Sequence, residues 1–193
     1  GRVPNTKSLT LDRLGVKCTS NGAVIVDSHM RTSIPNIFSI GDVTDIFQLT
    51  PVAIKEGAVL ASNLFNKTNM KVDYSNIPTA VFSQPEIGSV GLTEKEALNI
   101  YKRIYVYKTK FKPMYYSLSS DGSKTMMKLI VDQDTDKILG CHIVGVDAAE
   151  IIQIMAIVLK KEVTKDEMDN TMALHPTMSE ELVTMKDRIA VEL

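Results

Sequence analysis

Thr125-Met126-Met127-Lys128-Leu129-Ile130-Val131, then Asp132-Gln133-Asp134-Thr135-Asp136-Lys137, then Ile138-Leu139-Gly140-Cys141-His142-Ile143-Val144 is the stretch that decides the fold. Two β-rich apolar runs flank a polar segment, the pattern of a hairpin. Upstream, Arg103 to Phe111 alternates, with Ile104, Val106, Lys108 and Lys110 on one register and Tyr105, Tyr107, Thr109 and Phe111 on the other. Thr79 to Phe82 and Ser89 to Leu92 read as further short strands. Thr93-Glu94-Lys95-Glu96 is a capping box that predicts a helix to about Tyr101. Downstream, Ala148 to Lys160 predicts a strongly apolar helix, and Thr164 caps a shorter one. Thr177-Met178-Ser179-Glu180 caps the last helix. Strands followed by helices make an α+β domain with an antiparallel sheet.

The first part of the chain differs. Asn21-Gly22 is a turn signal, with Ala23 to Val26 read as a strand after it. Ile37 to Ile40 reads as a second strand ending at Gly41-Asp42. Thr50-Pro51 opens a helix, with Thr50 as N-cap and Pro51 at the first helical position. Apolar residues from Ala53 to Phe65 recur at helical spacing, and the polar run Asn66 to Asn76 reads as a domain boundary.

Composition is that of a globular protein: 193 residues, 44% apolar and 23% charged. A net charge of −1 gives no electrostatic argument for nucleic acid or an anionic membrane. No apolar run approaches the roughly 20 residues of a membrane span. Cys18 and Cys141 lie far apart and outside any metal-spaced motif. They read as reduced, partly buried thiols of a cytoplasmic protein, with a disulfide between them left open. No metal site is expected.

Few residues stand out for chemistry. His175 and Glu180 place an imidazole and a carboxylate at the start of a helix, where they can move a proton near neutral pH. Against this, Thr177-x-x-Glu180 is also a capping box. Asp42 follows Gly41 at a strand end, where a carboxylate can accept from polyol hydroxyls, although Gly-Asp is also a common turn. The helix opening at Thr50 offers free N–H groups and a positive dipole end to an anion, or is simply a capped helix. Met114, with Tyr115 and Tyr116, lines either a pocket or the core. His29 and His142 read as structural.

Several segments, in one order, carry a resemblance. They are Gly1-Arg2-Val3-Pro4-Asn5-Thr6, Ile37-Phe38-Ser39-Ile40-Gly41-Asp42-Val43 and Leu49-Thr50-Pro51-Val52-Ala53. Next come Ile77-Pro78-Thr79-Ala80-Val81-Phe82-Ser83, Gly88-Ser89-Val90-Gly91-Leu92-Thr93-Glu94 and Phe111-Lys112-Pro113-Met114-Tyr115. His175-Pro176-Thr177 and Glu180-Glu181-Leu182-Val183-Thr184 close the series. Together they resemble the C-terminal half of the glutathione reductases, within the FAD-dependent pyridine nucleotide–disulfide oxidoreductases. The trypanothione reductases are a second candidate within that family, and a dimerisation module without chemistry of its own is a third reading.

The resemblance implies a fold and its roles. Residues 1–5 would be the tail of an NADPH-binding domain, 6–75 the C-terminal part of an FAD-binding α/β domain, and 76–193 an α+β interface domain that builds a homodimer. Arg2 would lie near the nucleotide, Asp42 would bind the ribityl chain of FAD, and Thr50 would face the flavin. His175 would be the acid–base residue and Glu180 its partner, both reaching into the other subunit. Met114, Glu181 and Thr184 would line the glutathione disulfide pocket. The family's redox-active cysteine pair and its two Gly-x-Gly-x-x-Gly fingerprints are missing from this sequence. The expectation is therefore part of a longer protein, inactive alone and binding FAD weakly or not at all.

Overall fold

The computed structural model describes residues 2–118, 120 and 122–193; Gly1, which opens the first resembling segment, lies outside them. The chain forms two compact units, one ending at Asp73 and the other spanning Tyr74–Leu193.

The first unit is mostly turns, with one long helix, α1 (Thr50–Phe65). The strands expected at 23–26 and 37–40 are each reduced to one bridge, Cys18 to Val24 and Arg31 to Phe38. Their backbone hydrogen bonds are scattered, which stops a ladder from growing. Val24 N–H donates to Val43 O and Ile25 N–H to Lys17 O, both at 3.0 Å, and Ser39 N–H donates to Met30 O at 3.1 Å. Asp42 therefore sits in a 3-10 turn, Gly41–Thr44, rather than past a strand end. The N-cap of α1 is Leu49, and Thr50 is already helical. Extended Leu49 leaves its carbonyl to accept the first helical bonds, from Val52 and Ala53 at 3.0 and 3.1 Å. Of the helix, only Val52, Glu56 and Val59 are buried. That is one narrow stripe, so α1 packs through a thinner face than its apolar content suggests.

The second unit is a six-stranded antiparallel sheet. Its strands are β1 (Thr79–Val81), β2 (Ile87–Gly91), β3 (Arg103–Phe111), β4 (Thr125–Asp132), β5 (Ile138–Val144) and β6 (Arg188–Glu192), ordered β1-β2-β5-β4-β3-β6. The expected hairpin is the centre of the sheet, with Leu129 opposite Cys141. Helices cover both faces: α2 (Glu94–Tyr101) on one, and α3 (Ala148–Lys160), α4 (Lys165–Asp169) and α5 (Glu180–Thr184) on the other. Met127, Leu129 and Val131 face α3, while Ile130 faces Ala97 of α2. Thr93 and Thr164 form complete capping boxes with Glu96 and Glu167. Each such cap is worth about 1 kcal/mol.

Two close approaches tie β2 to β5. A Cβ on Gly140 would lie 2.1 Å from Leu92 O, and one on Gly91 would lie 2.3 Å from Leu139 O. His142 adds a polar tie. Its Nε2–H donates to Leu92 O at 3.0 Å, so its Nδ1 accepts from the Ser89 hydroxyl. This agrees with a structural role for His142. Burial holds its imidazole below the usual range, with Lys128 also opposing protonation and the Leu92 carbonyl, Glu94 and Glu96 favouring it.

Two outcomes follow. Gly140→Ala should lower stability by about 2–3 kcal/mol, because backbone blocks the new methyl; urea midpoints would measure it, and an unchanged midpoint would show that the strands can part freely. His142 binds protons more readily in the unfolded chain. Stability should therefore fall as pH drops below about 6.5, the unfolded value, towards the lower folded one. Urea titrations across that window should be flatter for His142→Gln than for the native chain.

Candidate functional site

The α5 helix has only five residues, too few to hold itself. Its entry is fixed by Thr177, whose Oγ accepts from Glu180 N–H at 3.2 Å and donates to Leu174 O at 2.8 Å. Only half of the expected capping box forms. The Glu180 carboxylate turns away from the Thr177 backbone, and both of its oxygens lie 3.1 Å from His175 Nδ1. A carboxylate accepts only, so Nδ1 carries the proton and Nε2 is left for a substrate. His175 keeps 68% of its side chain exposed against 20% for Glu180. At that exposure the contact contributes little stability; its effect is orientation.

A concavity of about 370 Å³ lies beside this pair. Glu180, Glu181, Thr177 and Met178 form one wall, and Phe111, Lys112, Met114 and Tyr115 the other. Met114 and Tyr115 lie in a 3-10 turn after β3 and are 59% and 88% exposed, so they line a surface rather than the core. Thr184 ends α5 and is not part of that lining.

In the first unit, Arg2 and Asp42 line a second concavity of about 300 Å³ with Val3, Pro4, Asn5, Val43 and Gln48. Thr50 starts α1 but is not among these residues. The Asp42 turn is held by a residue the sequence reading passed over. Buried Glu56, on α1, accepts from Gly41 N–H at 2.6 Å. Gly41 has φ +71°, and a Cβ there would meet Ala53 Cβ at 3.1 Å, so glycine suits this position. The available signal was a lone carboxylate on the apolar face of α1.

Both cysteines are free: Cys18 is exposed, unlike the partly buried thiol expected, and Cys141 is buried. Burial pushes the Cys141 thiol up to about 12. Among the described residues no three His, Cys, Asp or Glu side chains gather as a metal site, and no helix is long and apolar enough to cross a membrane.

Residues 77–186 match the dimerisation domain of the pyridine nucleotide-disulphide oxidoreductases, and residues 1–57 match a second domain of the same family. Similar curated proteins include the glutathione reductase of Burkholderia cepacia, 45% identical across 97% of this chain and 42% of that protein. The chloroplastic/mitochondrial glutathione reductase of Pisum sativum is 48% identical across 96% of this chain and 34% of its own length. The HOCl-induced flavoprotein disulfide reductase RclA from Escherichia coli superposes with a TM-score of 0.86 at 29% identity, over 96% of this chain and 43% of that one. The chain thus spans 34–43% of the length of the curated relatives it matches.

Glu56→Ala should destabilise the first unit by about 1–3 kcal/mol, since it strips a buried N–H of its acceptor. Glu56→Gln, which keeps an acceptor, should cost less. Chemical denaturation of the two variants measures the difference, and equal costs would rule out the Gly41 bond as the cause.

Proposed function

The chain belongs to the pyridine nucleotide-disulphide oxidoreductases, and from that membership we propose that it supplies the dimer-forming and proton-donating part of a glutathione-disulfide reductase. The observation that carries this reading is the His175–Glu180 pair, set beside a concavity that includes Met114 and Glu181. Identities of 45% and 48% to glutathione reductases support the substrate class.

The net reaction consumes NADPH, a proton and glutathione disulfide, and yields NADP+ and two molecules of glutathione. The chemistry that bound FAD would supply is electron transfer from NADPH to a redox-active cysteine pair. Asp42 would accept from the ribityl hydroxyls, Arg2 would lie near the nucleotide, and the α1 N-terminus at Thr50 would stabilise negative charge on the reduced ring. The open concavity at Arg2 and Asp42 and the sixteen-residue length of α1 support that assignment.

The proton is handled by this chain's own residues. A cysteine thiolate attacks the substrate disulfide, forming one S–S bond as the other breaks. One glutathione leaves as a thiolate. Protonated His175 gives its Nε2 proton to that sulfur, which makes it a poor nucleophile for the reverse step. Glu180 holds Nδ1–H and orients the ring. Glu181 and Met114 would shape the pocket, with Thr184 outside its lining at the end of α5.

Residues 1–5 would end the NADPH domain, 6–75 would complete the FAD domain, and 76–193 would form the homodimer interface. The exposed Ile154 and Ile157 on α3, at 60% and 56%, support a self-complementary contact. In the dimer His175 and Glu180 would serve the partner's active site. Free Cys18 and Cys141 suit a reducing compartment such as the cytoplasm.

In the holoenzyme, His175→Ala should lower disulfide turnover by about 10²–10⁴-fold, the usual contribution of a general acid. Flavin reduction by NADPH should be unchanged, and rapid-mixing kinetics separates the two half-reactions. An equal loss in both would reject the proton-donor role. Replacing Ile154 and Ile157 with Glu should convert a dimer to a monomer in light scattering; an intact dimer would move the interface elsewhere.

A further inference from the structure

The bulkiest fully buried side chain among the described residues is a lysine, Lys165, at 2% exposure. Burying an ammonium costs several kcal/mol unless it is well paired. Lys165 is paired on three sides. It bonds the Asp169 carboxylate one helical turn on, donates to Met185 O at 2.9 Å, and lies 4.6 Å from the Tyr107 ring centroid. Asp169 also takes Lys186 Nζ at 3.0 Å.

These contacts converge on α5. Met185 is its C-cap and is buried, and Lys186 is the next residue. The entry of α5 is held by the Thr177 hydroxyl and by Met178, which packs on the core and accepts from the Thr125 hydroxyl at 3.7 Å; its exit is clamped by Lys165 and Asp169. Leu182 and Met185, with Val183 packed beside them, turn the apolar side of the helix to the core. The hydrogen bond to the Met185 carbonyl adds a directional constraint at one end, and so bears on where Glu180 points at the other. An apolar residue would fill the Lys165 site without desolvation cost. It would not hold the Met185 carbonyl and Asp169 at one point.

We propose that Lys165 is a positioning residue for the Glu180–His175 pair, acting by locking the exit of α5 to α4 and β3. This rests on the reading of His175 as proton donor. In the holoenzyme, Lys165→Met should slow disulfide turnover about 10–100-fold, as misplacement of a catalytic group does, with flavin reduction by NADPH unchanged. The deciding measurement is a double-mutant cycle with Glu180→Gln. If Lys165 acts through Glu180, adding Lys165→Met to Glu180→Gln costs little more. Multiplying costs would overturn the proposal, as would unimpaired turnover in Lys165→Met. Should Lys165→Met fail to fold, Asp169→Asn takes its place in the cycle, with the same supporting and overturning results. A Glu180→Gln variant of undiminished turnover would reject the site reading itself, and the positioning role with it.

Discussion

The whole second unit depends on burying β4 and β5 from both sides. Leu129, Ile130 and Val131 are all without solvent exposure, yet neighbouring residues of a strand face opposite ways. One layer of helices cannot cover them. Hence α2 closes one face and α3 to α5 the other. Opposite partners Val90, Cys141, Leu129 and Tyr107 form a row across four strands on the α3 side. Each such side chain gives roughly 1.5–3 kcal/mol on burial. The row ends at Tyr107, beneath the Lys165 ammonium. The apolar demand of the central hairpin is thereby linked to the polar clamp that holds α5.

The proposed chemistry lies where that burial stops. His175 and Glu180 occupy the entry to a helix with no stability of its own, on a segment whose residues are mostly exposed. Exposure makes the pair energetically cheap and easy to disturb. It also leaves Nε2 accessible. The structure reconciles these demands by keeping Glu180 mostly covered and His175 mostly open. Orientation comes from the buried partner and access from the exposed one.

Where local rules and tertiary demands agreed, the sequence was readable. The hairpin, Arg103–Phe111, Ala148–Lys160, the Thr93 capping box and the Thr164 cap were legible because period, caps and turns coincided. The strand Arg188–Glu192 was not. It lies at the sheet edge and is largely exposed, so it shows no alternation; Arg188 stacking 4.0 Å over Tyr105 helps to hold it. The 23–26 and 37–40 segments carry strand propensity but no shared partner, and propensity without a partner makes no sheet. At the candidate site the ordered motifs brought His175 and Glu180 forward. Spacing alone could not decide between cap and catalyst, because Thr177 and Glu180 satisfy either geometry until the carboxylate's direction is known. Glu56 and Lys165 were illegible for a related reason. A single charged residue in a helix reads as solvent-facing, and only the fold turns it inward.

The cysteines complete the chemical argument. A proton donor for a departing thiolate needs a second thiolate to drive the departure. Cys141 cannot supply it: a thiol pushed up to about 12 by burial stays protonated at neutral pH and has no path to a substrate. Cys18 is open to solvent, but it belongs to the first unit and has no second cysteine beside it to close a disulfide. Residues 74–193 thus set the His175–Glu180 pair beside a concavity of about 370 Å³ and hold one cysteine, the buried Cys141. On the proposed function, His175 acts against a cysteine pair that neither Cys18 nor Cys141 supplies. In the proposed dimer, the acid of each subunit would face the active site of its partner.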